Sequence, residues 1–201
     1  MRLVQKTFDI NKYLVSSDII DFEIPNIQGT AMDLSKDIED EIQLIKRVYE
    51  FVRDEISHSM DINRSEVIFR ASDVLKYKHG LCFANSHLLA AILRYLDIPT
   101  GFCYQKLEFD GEFGLHGLNA VFIKGLDKWI RLDARGNENG INAKFSTDKE
   151  FLAYSPKPEN GEIDFPTIYS EPDKKVVEIL KQSNDLTEAL DKIFNTNWLL
   201  G

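Results

Sequence analysis

A chain of 201 residues, 43% hydrophobic and 28% charged, is long enough to bury a sizeable core within one domain. Its net charge of −9 argues against a nucleic-acid or anionic-membrane partner, either of which needs clustered Lys and Arg. No run approaches the roughly 20 apolar residues of a membrane span. The opening "MRLVQKTFDINKYL" lacks the apolar core of a signal peptide, so a cytoplasmic location is expected, with Cys82 and Cys103 as free thiols.

In chain order, the first 30 residues read as extended. Ile20, Phe22 and Ile24 alternate with Asp21 and Glu23, the two-residue period of a half-buried strand. The next segment, "SKDIEDEIQLIKRVYEFVRDEI", puts Ile38, Ile42, Ile45, Tyr49, Val52 and Ile56 on one helical stripe. Ser35 is its expected N-cap, and the acidic run from Asp37 to Glu41 suits the positive end of the helix dipole. After an irregular stretch (57–71), "SDVLKYKH" reads as a short helix with Ser72 as cap and Gly80 past its end. A third helix runs from about Cys82 to Leu96 and stops before Pro99. Three strand-like segments follow, "TGFCYQKLEF", "HGLNAVFI" and "KWIRLD", and then the polar loop "ARGNENGINAK". A Pro-containing connector (155–172) leads to helical segments around "KKVVEILKQ" and "LTEALDKIF". Helices followed by antiparallel strands define an α+β domain. A single domain over 1–201 is expected, its core at about 36–137.

Cys82 stands two residues after a glycine, at the mouth of a helix. A thiolate is the nucleophilic form of cysteine, and unpaired amides at a helix N-terminus stabilise it. Gly80 would allow a sharp turn and leave room for a substrate, and the Cys82 amide would face an oxyanion. The competing reading is a packed thiol, since free cysteine is among the most buried residue types. A partner base decides between them. Of the four histidines, His87 lies about 140° around the helix from Cys82 and points away. His58 and His79 lie in turn-like stretches, where either could simply be exposed.

His116 opens a strand, and Asp133 ends the next one. If "KGLD" turns a hairpin, directly opposed residue numbers have a constant sum. A two-residue loop gives 249 and opposes His116 to Asp133; a four-residue loop gives 251 and makes them diagonal neighbours on one face. A three-residue loop would separate them. Val121, Ile123, Ile130 and Leu132 would bury the other face. A carboxylate-held histidine facing a cysteine has the logic of a nucleophile, base and orienter.

The stretches "ASDVLKYKHGLCFANSHLLAAILRYLDIPTGFCYQ" and "LHGLNAVFIKGLDKWIRLDARGN" together resemble the transglutaminase-like superfamily. In that family an Ala-x-x-x-Leu segment leads to Gly-x-Cys and a helix, and histidine and aspartate strands follow. Trp129 stands where the family has an aromatic before the aspartate. His116–Gly117–Leu118 departs from the family's usual H-x-W type pattern. The resemblance implies a papain-like α+β core with the nucleophile's helix packed on an antiparallel sheet. It makes Cys82 the nucleophile, His116 the base and Asp133 its orienter.

The expected function is cysteine-dependent acyl transfer on amide bonds, with water as acceptor ahead of an amine, and a protein or peptide as substrate. The alternatives are a non-catalytic binding module that keeps the fold and a thioester-dependent N-acyltransferase. The latter's Arg-Gly-Gly-x-Cys signature is replaced here by Lys78-His79-Gly80-Leu81-Cys82. No cofactor and no metal are expected; a site from His79, Cys82, His87 and His116 loses His87 to helical geometry and has few thiolates for structural zinc. Asn63, Gln105 and Tyr77 are candidates for a second oxyanion donor. Residues 1–35 and 140–201 are left to build the substrate site, and the oligomeric state is left open.

Overall fold

The computed structural model describes residues 1–199. Ile24 and Pro25 open the first helix, α1 (Pro25–Ser35), because proline's fixed φ and missing N–H suit a first helical turn. The strand expected over residues 20–24 is therefore a turn leading into α1, which buries Ile27 and Ala31. Asp21, expected on a solvated strand face, instead accepts hydrogen bonds from the amide and hydroxyl of Ser72 at 2.9 and 2.6 Å.

Ser35 ends α1 and does not cap the next helix. The chain breaks at Asp37, whose φ is +61°, and restarts at α2 (Glu41–Glu55), where Asp40 accepts from the Gln43 amide at 2.7 Å. A two-residue strand, β2 (Ser57–His58), leads to α3 (Ala71–Tyr77), so Ser72 lies inside that helix. Left-handed Lys78, not Gly80, closes α3. The chain then forms β3 (His79–Gly80), which runs parallel to β2 and pairs His58 with Gly80.

The helix that opens on Cys82 is α4 (Cys82–Tyr95), buried at every position from Phe83 to Arg94. It lies between α1, α2 and α3 on one side and the sheet on the other. Leu88, Leu89, Ile92 and Leu93 are fully buried there, each contributing roughly 1.5–3 kcal/mol of transfer free energy. Arg94 at its far end is buried but satisfied, donating to the carbonyls of Val15, Thr100 and Ser170. It thereby ties both terminal regions to the central helix.

The sheet contains β4 (Thr100–Phe109), β5 (Glu112–Ile123), β6 (Lys128–Leu132) and β7 (Ile163–Asp164), in antiparallel order β6-β5-β4-β7. The β5–β6 loop spans Lys124–Asp127, and Asn119 pairs with Leu132, which is the 251 register. Val121, Ile123, Ile130 and Leu132 join the main core. A smaller cluster of Tyr13, Cys103, Leu118, Ala120 and Ile168 holds the opposite face. Val4–Gln5 (β1) pairs in parallel with Thr167–Ile168 (β8), and α5 (Lys174–Gln182) and α6 (Leu186–Phe194) complete the fold. No described helix is long and apolar enough to cross a membrane.

Candidate active site

The site forms where three separately encoded segments meet. Cys82 is the first residue of α4, with the unpaired amides of that helix's first turn around it. Gly80 is needed for this arrangement, though not to admit substrate. A Cβ there would lie 2.6 Å from that of Ala84 and 3.1 Å from Asn85 Oδ1, so α4's own first turn fills the space. Asn85 donates to the carbonyls of Ile56 and Ala134, at 3.4 and 3.2 Å. One side chain thus fixes the helix mouth against the residue beside Asp133 and against the segment entering β2.

His116 lies on β5 and Asp133 just beyond β6, as the diagonal register requires. His116 Nε2 and Asp133 Oδ2 are 2.8 Å apart, with both side chains almost wholly enclosed. Asp133 Oδ2 also accepts from the Ala153 amide at 3.0 Å, and Oδ1 accepts from the Arg135 amide at 3.3 Å. Because Nε2 is held by the carboxylate, Nδ1 is the nitrogen left for the thiol. The edge of the Tyr154 ring covers the imidazole, with centroids 4.9 Å apart.

The electrostatics follow from this geometry. Burial alone would push the Cys82 thiol up, but the charge and hydrogen bonding of His116, assisted by His58, bring it down to about 6. Burial would also disfavour charged His116; Asp133 and Cys82 outweigh it and raise the imidazole above its ordinary value. Asp133 is held below the usual carboxylate range, its burial being overcome by His116 and the two backbone amides. The pair therefore favours thiolate and imidazolium near neutrality. Cys103 is the contrast, with burial pushing its thiol up to about 12.

Two groups at the thiol had no local sequence signal. The Gly117 amide donates to Cys82 Sγ at 3.5 Å. His58, brought alongside by the β2–β3 pairing, lies close enough to help lower the thiol and has a buried Nδ1 without a protein partner. None of the three expected oxyanion donors is at the sulfur. Gln105 opposes His116 in the ladder but donates to Asp164 Oδ1 at 3.3 Å. Tyr77 is exposed beside Lys76, and Asn63 occupies an exposed left-handed turn. His79 is buried against Ser59 Oγ at 2.9 Å, and His87 bonds the Phe69 carbonyl at 2.7 Å. Among the described residues, no group of three His, Cys, Asp or Glu side chains converges as metal ligands would.

A helix carrying cysteine at its mouth, packed on an antiparallel sheet that carries histidine and aspartate, defines the papain-like α+β class. The transglutaminase-like superfamily model matches residues 28–134, more than half of the chain, and the protein belongs to that superfamily. No curated protein sequence matches it. Among solved structures, a candidate cysteine protease from Cytophaga hutchinsonii shares the fold at 20% identity with TM-score 0.54, over 64% of this chain and 43% of that one. The periplasmic domain of TgpA from Pseudomonas aeruginosa is similar at 14% identity and TM-score 0.46, over 64% of this chain and 48% of that one. A TGase aligns at 13% identity and TM-score 0.42, over 98% of this chain and 54% of its own. The chain spans about half the length of these structural neighbours.

Proposed function

We propose that the protein is a cysteine-dependent acyl-transfer enzyme that opens an amide or activated acyl bond through an acyl-enzyme and releases the acyl group to water. The observation that carries this reading is the placement of Cys82 at the α4 mouth within reach of an imidazole whose far nitrogen is held by Asp133 at 2.8 Å. Cys82 thiolate attacks the carbonyl carbon and forms the C–S bond. The bond to the leaving group breaks, and that group takes the His116 proton. The same imidazole then accepts a proton from water, whose oxygen attacks the thioester carbonyl; the C–S bond breaks, the acid leaves, and the thiolate–imidazolium pair is restored. The free amides of the first α4 turn, with His58 beside the sulfur, offer donors to the oxyanion. Water is favoured as acceptor because no Asp or Glu lines the cleft among the described residues. An incoming alkylammonium would find no counter-charge there.

Alkylation by iodoacetamide across pH tests the reading without a substrate. Cys82 is expected to react rapidly from about pH 6 upward, with Cys103 inert. His116→Ala is expected to move the midpoint toward the ~8.5 of a free thiol. Identical profiles with a midpoint above ~8 in both proteins would uncouple the two residues and favour a binding module on the same fold.

A further inference from the structure

A cavity of about 260 Å³ opens directly over Cys82 and His116. Its walls come from β4–β5 through Phe109 and Leu115, and from α6 through Leu190, Ile193 and Phe194. The α6 wall lies well outside the segment matched by the superfamily model. Leu190 and Phe194 are four residues apart on that helix and partly exposed, so one helical face overhangs the thiol. Gly114 brings the overhang close to the sheet. A Cβ there would come within 2.7 Å of the Phe194 ring, so the glycine lets the ring lie directly on β5. Phe109 and Phe194 meet edge-on at 6.1 Å between centroids.

The charged group at the rim is already compensated. Arg135 is held by both carboxylate oxygens of Asp61, at 2.7 and 3.2 Å, which leaves it little to offer a substrate carboxylate. No Asp or Glu lines the cavity among the described residues. The polar groups His58, His116 and Tyr154 lie with Cys82 in the lining, whereas the wall of Phe109, Leu115, Leu190, Ile193 and Phe194 is apolar. A charged or carboxamide side chain seated against that wall would lose hydration without gaining equivalent partners. The volume falls below the roughly 300–1,000 Å³ typical of pockets for whole ligands, and suits one side chain.

We propose that this cavity is the acyl-side specificity pocket and takes an apolar side chain on the residue that carries the reacting carbonyl, with α6 as the selecting wall. The proposal rests on the acyl-enzyme reading and names its substrate class: acyl donors with a phenylalanyl-, leucyl- or similar apolar group next to the carbonyl. Polar side chains such as those of glutamine and glutamate are disfavoured.

The test uses 4-nitrophenyl esters of N-acetylated glycine, leucine, phenylalanine, glutamine and glutamate. Nitrophenolate release is followed in solution and the acyl adduct on Cys82 by intact mass. The phenylalanyl and leucyl esters are expected to exceed the glycyl ester by about tenfold or more, a span that hydrophobic pocket contacts ordinarily supply. Phe194→Ala is expected to cut the phenylalanyl-to-glycyl ratio by several fold. Leu190→Phe, at a half-exposed position, is expected to fill the cavity and favour the glycyl ester. Each ratio is taken within one variant, so partial unfolding does not distort it. Adducts formed equally well from the glutamine or glutamate esters, or ratios unchanged in both variants, would overturn the pocket and leave the acyl-enzyme reading standing. Failure of every ester to acylate Cys82, with Cys82 also as slow toward iodoacetamide as Cys103, would overturn both.

Discussion

Asp133 accepts three hydrogen bonds, and how they are shared defines a clean substitution. Oδ2 serves His116 and Ala153, while Oδ1 takes only the longer bond from Arg135. In Asp133→Asn the amide oxygen can keep the first two and turn its NH₂ toward the weakest. The fold is expected to survive, but the negative charge that raises His116 is gone. Acylation of the preferred ester is expected to fall by up to about 10⁴-fold, the order seen when a triad carboxylate becomes an amide. A rate within a few fold of wild type would make Asp133 a structural acceptor only. This residue was legible in the sequence because hairpin register is arithmetic: once "KGLD" is a four-residue turn, His116 and Asp133 share a face. His58 was not legible, since it reaches the thiol through a two-residue parallel pairing with β3 that leaves no periodic pattern.

The elements show the same division between local and long-range information. The central helix and the three long strands were readable because each carries its own apolar pattern and turn signals. The segment at residues 20–24 misled because its alternation resembles a strand, while the proline that starts α1 stood just beyond it. Similarly, the Ser35 cap failed because left-handed Asp37 divides what reads as one amphipathic run. The α6 wall of the cavity was beyond local pattern altogether: α6 is legible as an amphipathic helix, but nothing in it says which strand it will cover. Residues 140–199 do contribute to the cleft, through Tyr154, Leu190, Ile193 and Phe194, whereas residues 1–35 do not line it. At the α4–β5 junction, a Cβ on Gly117 would stand 2.6 Å from Phe83 Cδ1 and 3.5 Å from Phe83 Cα. Phe83 is buried and follows Cys82 directly, so it has little room to yield. Gly117→Ala is expected to cost roughly 1–3 kcal/mol as overpacking. It should also slow Cys82 alkylation at pH 7 by moving the helix mouth from β5. Urea unfolding and alkylation kinetics on one preparation check both, and an unchanged pair of values would show that the contact relaxes freely.

For the whole molecule, the Cys82–His116 pair links stability to pH in a way that a single titrating group would not. His116 is raised on folding, so its contribution is full below the unfolded value of ~6.5 and is lost as pH rises through its higher folded value. Cys82 is lowered to about 6, so its contribution is full above the unfolded value of ~8.5 and is lost as pH falls through 6. Between ~6.5 and ~8.5 the unfolded chain carries one proton on the thiol, and the folded chain carries one on the imidazole. The proton counts match, and the pair contributes no slope there. Above ~8.5 the unfolded thiol ionises while folded His116 keeps its proton, so stability falls. Cys82→Ser removes the thiol but leaves Asp133, the foremost group raising His116. The folded variant then holds one proton more than its unfolded chain from ~6.5 upward, and its decline starts about two pH units earlier. The remaining groups act alike in both proteins and cancel in the difference. Urea unfolding under reducing conditions between pH 6.5 and 8.5 is therefore expected to show wild type gaining on Cys82→Ser by up to ~1.4 kcal/mol per pH unit. Parallel curves would mean that no proton passes from Cys82 to His116 on folding, and the ion pair would have to be given up.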